Sequence, residues 1–527
     1  MTIVTQYDKN WPIEFIKIKK YLQDHLDSLR IEHVGSTSIP KMLAKPIIDI
    51  DIVIDNINDL PPINDKLSLL GYEFIGDVGV VGRYAYANNQ NQLYKHHLYV
   101  CLSEENGYLE HIAFRDYLIK HEDKRVEYGN LKKSIALKYP DNPDLYCESK
   151  TVFINECLKK SGYQKKQYDT LFPDFNNCLI NITASIQKYF HGFSKYSSLD
   201  IVDELLESSD HVILMVLDGM GKVIIENNLD EKSFLRQNIK KIITSVFPPT
   251  TVAATTALIS GKLPGLTGWV GWHQYFEKID KFVPLFKHEE YYTGEIIEED
   301  IVNQEIGYTP FSKDLKDVKA YELYPHFMPD GFLEFDQMCE RLVQISNNQE
   351  KSYTYAYWDK PDHLIHDYGC YHQQIKNNLN DLNNSVENMS KRLGPKTTLI
   401  VTADHGLIDV KPIEINSFSN LTKHLKRLPA VEGRATVFYV NDKEAFKEEF
   451  NKYFSSFFDL YTQAEFIELG FLGDDVNKAI PFLGDFIAIA KRQYYFNAKK
   501  APGSFVGAHA GITSDEMLVP LIIYVNK

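Results

Sequence analysis

The sequence has no two cysteines in CxxC spacing. Its six cysteines (Cys101, Cys147, Cys157, Cys178, Cys339 and Cys370) are scattered over 527 residues. This excludes a thiolate zinc ribbon and argues against a disulfide frame; the pattern is that of free thiols in a reducing compartment. No apolar run reaches the roughly 20 residues that cross a bilayer. The start, MTIVTQYDKNWPIEF, lacks a basic segment followed by an apolar stretch, so it does not read as a secretory signal. A cytoplasmic protein without a membrane partner is expected. Basic residues are the minority, 57 Lys and Arg against 72 Asp and Glu, for a net charge of -15. That excludes general affinity for nucleic acid, though not a local basic pocket. There is no internal repeat and no low-complexity tract, and nothing in the pattern assigns an oligomeric state.

What is present is a globular composition, 44% hydrophobic and 24% charged. The length exceeds one ordinary core and predicts two or three domains. The first begins with a helical segment, IEFIKIKKYLQDHL. The short strand RIEHV, a glycine turn and the strand PIIDIDIVI follow, then a glycine-rich hairpin region and the strand HHLYVCL. FRDYLIKHEDKRVEYGNLKKSIALKY reads as helical. This is a small α+β pattern. The polar, aperiodic stretch SGYQKKQYDTLFPDF marks a boundary, giving domains 1–165 and 166–527. In the second, ITASIQKYFHGF and LDIVDELLES read as helices, while HVILMVLDG and TLIVTADHG are continuous apolar runs. Such runs separated by helices predict parallel strands covered on both faces, an α/β class whose function collects at the carboxyl ends of the strands. Asp218 and Asp404 stand at two such ends.

Five stretches of the second domain carry groups with chemistry. Asp218 follows the first apolar run, as a turn residue or as a ligand. In SVFPPTTVAATTALISG the prolines and Thr250 set up a helix closed by Gly261, with Thr251 in the first turn. There, free N–H groups and the helix dipole favour an anion, so the hydroxyl is either a cap or a nucleophile facing phosphate. In YWDKPDHLIHDYG, Asp362 and His366 are four apart and share a helix face, as a solvated pair or as two ligands. Asp404 and His405 end the second apolar run. His509, in GAHAGITSDEMLVPLIIY, sits between small residues with little to pack against, accessible to a ligand. Carboxylate and imidazole ligands suit zinc; a site richer in oxygen favours manganese or magnesium.

In this order, DGMG, FPPTT, DxxxH, ADHG and GAHAG resemble the metal-binding core of the alkaline phosphatase superfamily, in its nucleotide pyrophosphatase/phosphodiesterase-like branch, over roughly residues 175–527. The resemblance implies an alkaline-phosphatase-like, mostly parallel sheet flanked by helices. It also implies two divalent metals, zinc first, with manganese or magnesium as alternatives. Asp362, His366 and His509 would hold one metal, and Asp218, Asp404 and His405 the other. Thr251 would be the nucleophile, attacking phosphorus in line and forming a phosphoryl-threonine that water releases. One departure is Ala254, where many members have asparagine three residues after the nucleophile; the phosphate cradle then falls to backbone N–H groups or another side chain. The sulfatase pattern C/S-x-P-x-R is absent. Trp269, Trp272 or Tyr275 would stack on a nucleobase or fill the core. Arg434, in VEGRATVFYV, would reach a phosphate or sit in an ion pair.

In the first domain, IEHVGSTSIPKMLAKPIIDIDIVID places Gly35 and Ser36 in a turn ahead of Asp49 and Asp51. Residues i and i+2 of a strand face one side, so the two carboxylates suit one magnesium. A Gly-Ser turn suits a nucleotide phosphate. The combination resembles the nucleotidyltransferase pattern. YDKNWPIEF, RIEHVGSTSIP, AKPIIDIDIVI, HHLYV and FRDYL resemble the GrpB (UPF0157) family over roughly residues 5–160, which implies a nucleotidyltransferase-like fold. A third acid is expected on a neighbouring strand, but HHLYVCL offers His97 instead, as ligand, as base, or as the mark of a non-catalytic binding module. Lys45 and Arg115 are candidate phosphate contacts.

The expectation is thus a two-domain enzyme. A two-metal hydrolase would cleave the phosphodiester or pyrophosphate bond of a small nucleotide-related substrate. A nucleotidyltransferase-like module would modify or recognise a nucleotide ligand, one domain attaching a nucleotidyl group that the other removes. The alternatives are a phosphomonoesterase, a phosphomutase-like phosphotransferase, or ligand sensing without chemistry.

Overall fold

Alternation dictates the centre of the first unit. In the strand Ile48–Ile54, the isoleucines at 48, 50, 52 and 54 are buried in the core, which leaves Asp49 and Asp51 on the opposite face. The computed structural model describes residues 3–27, 29–88, 93–498 and 504–527. Five strands, β1 (Arg30–Val34), β2 (Ile48–Ile54), β3 (Tyr72–Asp77), β4 (Arg83–Asn88) and β5 (His96–Leu102), form a sheet of order β1-β2-β5-β4-β3. β2 and β5 are parallel and the other pairs antiparallel. The helical stretch after β5 is two helices, Asn106–Lys120 and Glu122–Lys138, interrupted where His121 turns extended.

Residues 1–167 form this unit together with 416–424 and 444–457, segments that the sequence assigns to the second domain. Their side chains explain the placement. The ring of Tyr453 packs on Phe74, with centroids 5.1 Å apart, and its carbonyl accepts a hydrogen bond from Tyr84. These are contacts between segments far apart in the chain, which no local pattern encodes.

The second unit comprises 168–415, 425–443 and 458–527. Its central sheet has six strands in the order Lys319–Leu323, Ser352–Trp358, His211–Leu217, Thr397–Thr402, Leu518–Asn526, Ile239–Thr244. The first four run parallel, and Leu518–Asn526 is antiparallel to both its neighbours. Every residue of His211–Leu217, Ser352–Trp358 and Thr397–Thr402 is buried, as expected of strands covered on both faces. A second, antiparallel six-stranded sheet includes Ala435–Phe438 and Phe486–Ala490 and has its own core around Phe247, Phe471 and Ile487. No helix among the described residues is long and apolar enough to cross a membrane.

Candidate active site

Three neighbouring parallel strands bring the acids together. Leu217 pairs with Trp358 and Val216 with Thr402, so the chain leaves the sheet at one level in all three. Asp218, Asp362 and Asp404 occupy these exits, the carboxyl-end position where open α/β sheets bind ligands. Asp218 is followed by Gly219 at φ +71°; a Cβ there would lie 2.8 Å from Asp362 Cβ. Only glycine permits this approach, and its N–H donates to Asp404 Oδ1 at 3.1 Å.

The helix Asp362–Tyr368 puts Asp362 and His366 on one face, with His366 Nε2 3.2 Å from Asp362 Oδ2. The Nδ1 of His366 faces the Gly507 carbonyl at 2.8 Å, and that of His405 faces the Gly406 carbonyl at 3.1 Å. Each backbone oxygen fixes its ring and leaves Nε2 for the acids. His405 Nε2 lies 3.4 Å from Asp218 and 3.7 Å from Asp404. His509 Nε2 lies 3.9 Å from Asp362 Oδ1, and its ring stacks on His405 at 3.9 Å. His509 is therefore packed against another imidazole, not loosely held as its small neighbours predict. The ligand atoms of Asp218, Asp404 and His405, and those of Asp362, His405 and His509, fall in two groups, each within 4.8 Å.

The helix Thr251–Ser260 begins at Thr251 and closes on Gly261 at φ +67°. Thr251 Oγ1 is 3.3 Å from both Asp218 Oδ2 and His405 Nε2. Thr250, one residue earlier, is the N-cap but makes no capping bond; its hydroxyl donates instead to Glu432 at 2.7 Å. Ala254 is buried, and its N–H is bound to the Thr250 carbonyl, so it presents nothing to a phosphate.

The charges strain against one another. Burial and the nearby Asp404 and Asp362 raise the Asp218 carboxyl well above its usual range, and burial also raises Asp404. Against burial, His366 and His509 hold Asp362 low; in return Asp362 lifts His366 to about 9, although burial opposes it. Burial and His405 keep His509 neutral. Asp218 Oδ1, Asp362 Oδ1 and Asp404 Oδ2 are buried without a hydrogen-bond partner. Orphaned acceptors clustered this way fit bound cations.

Above the cluster lies a cavity of about 460 Å³, lined by Thr251, His366, His509, Glu432 and the aromatic rings of Trp272 and Tyr495 among others. Of the three candidate base-stacking residues, Trp272 reaches it. Trp269 is in the core, its indole bonded to the Ile306 carbonyl, and Tyr275 is buried beneath the Arg427 guanidinium. Arg434 also has a different role from phosphate contact. It is buried, binds both oxygens of Glu516 at 2.7 Å, and donates to the carbonyls of Arg492 and Tyr494. Two residues escaped the sequence reading. Tyr357, at the end of its strand, donates its hydroxyl to Asp218 Oδ2. Glu432 sits in a turn where nothing local marks it.

In the first unit, a Cβ on Gly35 (φ +67°) would lie 2.1 Å from Asp49 Oδ2, so glycine is required there. Asp49 and Asp51 share a face but turn to different imidazoles, His97 at 2.9 Å and His111 at 2.8 Å. The third acid comes from the other neighbouring strand: Glu32 of β1 is the register partner of Asp51. It holds Arg115 at 3.2 Å; Arg115 also binds Asp116 and the His33 carbonyl, so its guanidinium braces the domain and is not left for a phosphate. Lys45 lies over the Tyr146 ring at 3.8 Å. The Gly-Ser turn has a further cation: buried Lys132 donates to Ser36 Oγ at 2.8 Å.

Known proteins divide along the same lines. The family described as GrpB protein matches residues 2–160, and that described as type I phosphodiesterase / nucleotide pyrophosphatase matches residues 212–512. The UPF0157 protein YqkA of Bacillus subtilis is 32% identical over 162 residues, 30% of this chain and 47% of that protein, so this chain spans about half of that relative's length. The glutamate-rich protein GrpB of Alkalihalophilus pseudofirmus is 32% identical over 164 residues, 30% of this chain and 94% of that protein. Among solved structures, the murine ectonucleotide pyrophosphatase / phosphodiesterase 5 is 17% identical, with 59% of this chain and 87% of that chain covered and a TM-score of 0.45.

Proposed function

The chain belongs to the type I phosphodiesterase / nucleotide pyrophosphatase family and, at its N-terminal end, to the GrpB family, and we propose that its domain 166–527 hydrolyses the phosphodiester or pyrophosphate bond of a nucleotide-related substrate. The convergence of one hydroxyl, three carboxylates and three imidazoles at the ends of neighbouring parallel strands carries this reading. Asp362, His366 and His509 would hold one divalent metal and Asp218, Asp404 and His405 another; mixed carboxylate and imidazole donors favour zinc. Bound there, the metals would lower the pKa of a hydroxyl and stabilise the charge on the leaving oxygen.

The protein's own groups supply the rest. Thr251 stands at a helix N-terminus, where free N–H groups receive the phosphate and hold it in front of the hydroxyl. With its proton passed to the acidic cluster, Thr251 Oγ attacks phosphorus. The alkoxide or phosphate on the far side leaves, the alkoxide taking up a proton, and water then cleaves the phosphoryl-threonine and returns a proton to Thr251 Oγ. The buried cluster keeps this chemistry away from bulk water.

The first domain is proposed as a nucleotidyltransferase-like module that modifies or recognises a nucleotide ligand with magnesium, the Gly35–Ser36 turn receiving phosphate beside Asp49 and Asp51. The full chain tests both readings. Metal analysis should find about two zinc ions in the second site, and bis(p-nitrophenyl) phosphate should be cleaved faster than p-nitrophenyl phosphate. A Thr251→Ala protein that keeps its metals and hydrolyses as fast as the wild type would overturn the nucleophile. For the first domain, Asp51→Asn should abolish magnesium-dependent nucleotide binding or incorporation; unchanged behaviour removes that site.

A further inference from the structure

Glu432 is the acid that the proposed chemistry leaves unused. It lines the cavity beside Thr251 and lies close enough to His366 and Asp362 for its charge to be felt there. One oxygen, Oε1, is fully engaged, accepting from the Thr250 hydroxyl at 2.7 Å and the Trp272 N–H at 2.7 Å. These two bonds fix the carboxyl within one residue of the nucleophile. Oε2 accepts no hydrogen bond from the described residues. Among the described residues the opposing charge is missing as well. No lysine among them lines the cavity, and its arginine, Arg434, has Nε and Nη2 closed on Glu516 and Nη1 on two backbone carbonyls. Apart from the metal ligands and histidines, the net fixed charge that the described lining residues present to a phosphate is therefore that of one carboxylate.

A phosphate diester carries one negative charge; a monoester carries nearly two above its second ionisation, at about pH 6. Resting on the reading of Thr251 as nucleophile, we propose that Glu432 is a specificity-determining residue that sets the site for singly charged phosphodiesters by opposing the second charge of a monoester. The ester group that replaces this charge lies against the rings of Trp272 and Tyr495. Burial raises the Glu432 carboxyl to about 7, so in alkaline solution it carries its charge. Because this charge is held in a recess, it acts at a lower effective dielectric than a surface carboxylate.

The test is a matched pair of substrates with one leaving group, p-nitrophenyl phosphate and methyl p-nitrophenyl phosphate, assayed at alkaline pH with the metal-loaded full chain. Glu432→Gln keeps an oxygen for Thr250 and Trp272 and removes the charge. The ratio of kcat/KM for monoester over diester is expected to rise about tenfold in this variant, and to stay near wild type in Glu432→Asp, which keeps the charge. If Glu432→Gln does not fold, Glu432→Ala replaces it with the same expectation. A ratio that stays at the wild-type value in the uncharged variants overturns the proposal and leaves Glu432 as an anchor for Thr250 and Trp272. Failure of the wild type to cleave either substrate overturns the phosphodiesterase reading instead.

Discussion

Both units gather acids at the end or on one face of a sheet, but they satisfy them differently. In the first unit Asp49 faces His97, Asp51 faces His111 and Glu32 faces Arg115, each carboxylate with its own internal partner, and a single oxygen, Asp51 Oδ1, is left buried without a hydrogen-bond partner. In the second, three carboxylates and three imidazoles are crowded into one buried cluster, and three of the carboxylate oxygens have no hydrogen-bond partner. Paired acids stabilise a fold without help, whereas orphaned ones are costly until something cationic arrives. The contrast supports the proposed reading of the second cluster as a metal site; in the first, the ion pairs would have to open before a ligand could be chelated.

The sharpest break in this comparison is chemical. Thr251→Ala should lower phosphodiester turnover by at least about 10³-fold with metal content unchanged, while Ser36→Ala leaves that rate near wild type; equal losses would erase the distinction. Next in size is Arg434→Met, which strands Glu516 as a buried charge. It should destabilise the second unit by about 3–5 kcal/mol in denaturant unfolding. A surface phosphate contact would change the rate and leave stability alone. Chelation should act on one unit only: for metal present at about 100 times its dissociation constant, the second unit loses about 2.7 kcal/mol, read as a downward shift of one of two calorimetric transitions.

Per unit of pH, the smallest effect belongs to Lys132 in the first unit. Burial, with Lys150 adding to it and Asp49 opposing, pushes its ammonium down to about 7 from 10.5. Between these values the unfolded chain holds the extra proton, so stability rises with pH, by at most about 1.4 kcal/mol per pH unit. The penalty is complete below about 7 and fades as the pH approaches 10.5. Lys132→Met should flatten that slope in denaturant titrations taken across the range.

Much of this was legible from the sequence, for identifiable reasons. The runs HVILMVL and TLIVT are apolar without alternation because both faces of those strands are covered, and the first polar residue after each marks the exit from the sheet. The helix at Thr251 is announced by its prolines and closing glycine. What escaped depends on register or distance. Glu32 lies on a strand that was recognised, but only the β1–β2 pairing sets it opposite Asp51. Arg434 finds its acid 82 residues further on, and Glu432 meets Thr250 from 182 residues away. Charges whose partners are that remote carry no local signature, so the sequence leaves Arg434 open between a phosphate contact and an ion pair, and only the fold brings Glu516 to it.

The segments 416–424 and 444–457 also determine how the chain can be divided. Five times the backbone passes from one unit to the other, at 167/168, 415/416, 424/425, 443/444 and 457/458. A single cleavage after residue 167 therefore does not yield the first unit intact; it removes the strip that carries Tyr453 and uncovers Phe74 and Tyr84. A ribosome has also finished most of the second unit before the last piece of the first emerges, so the N-terminal unit is completed late although its synthesis begins first. In this chain, order of synthesis and order of closure are uncoupled.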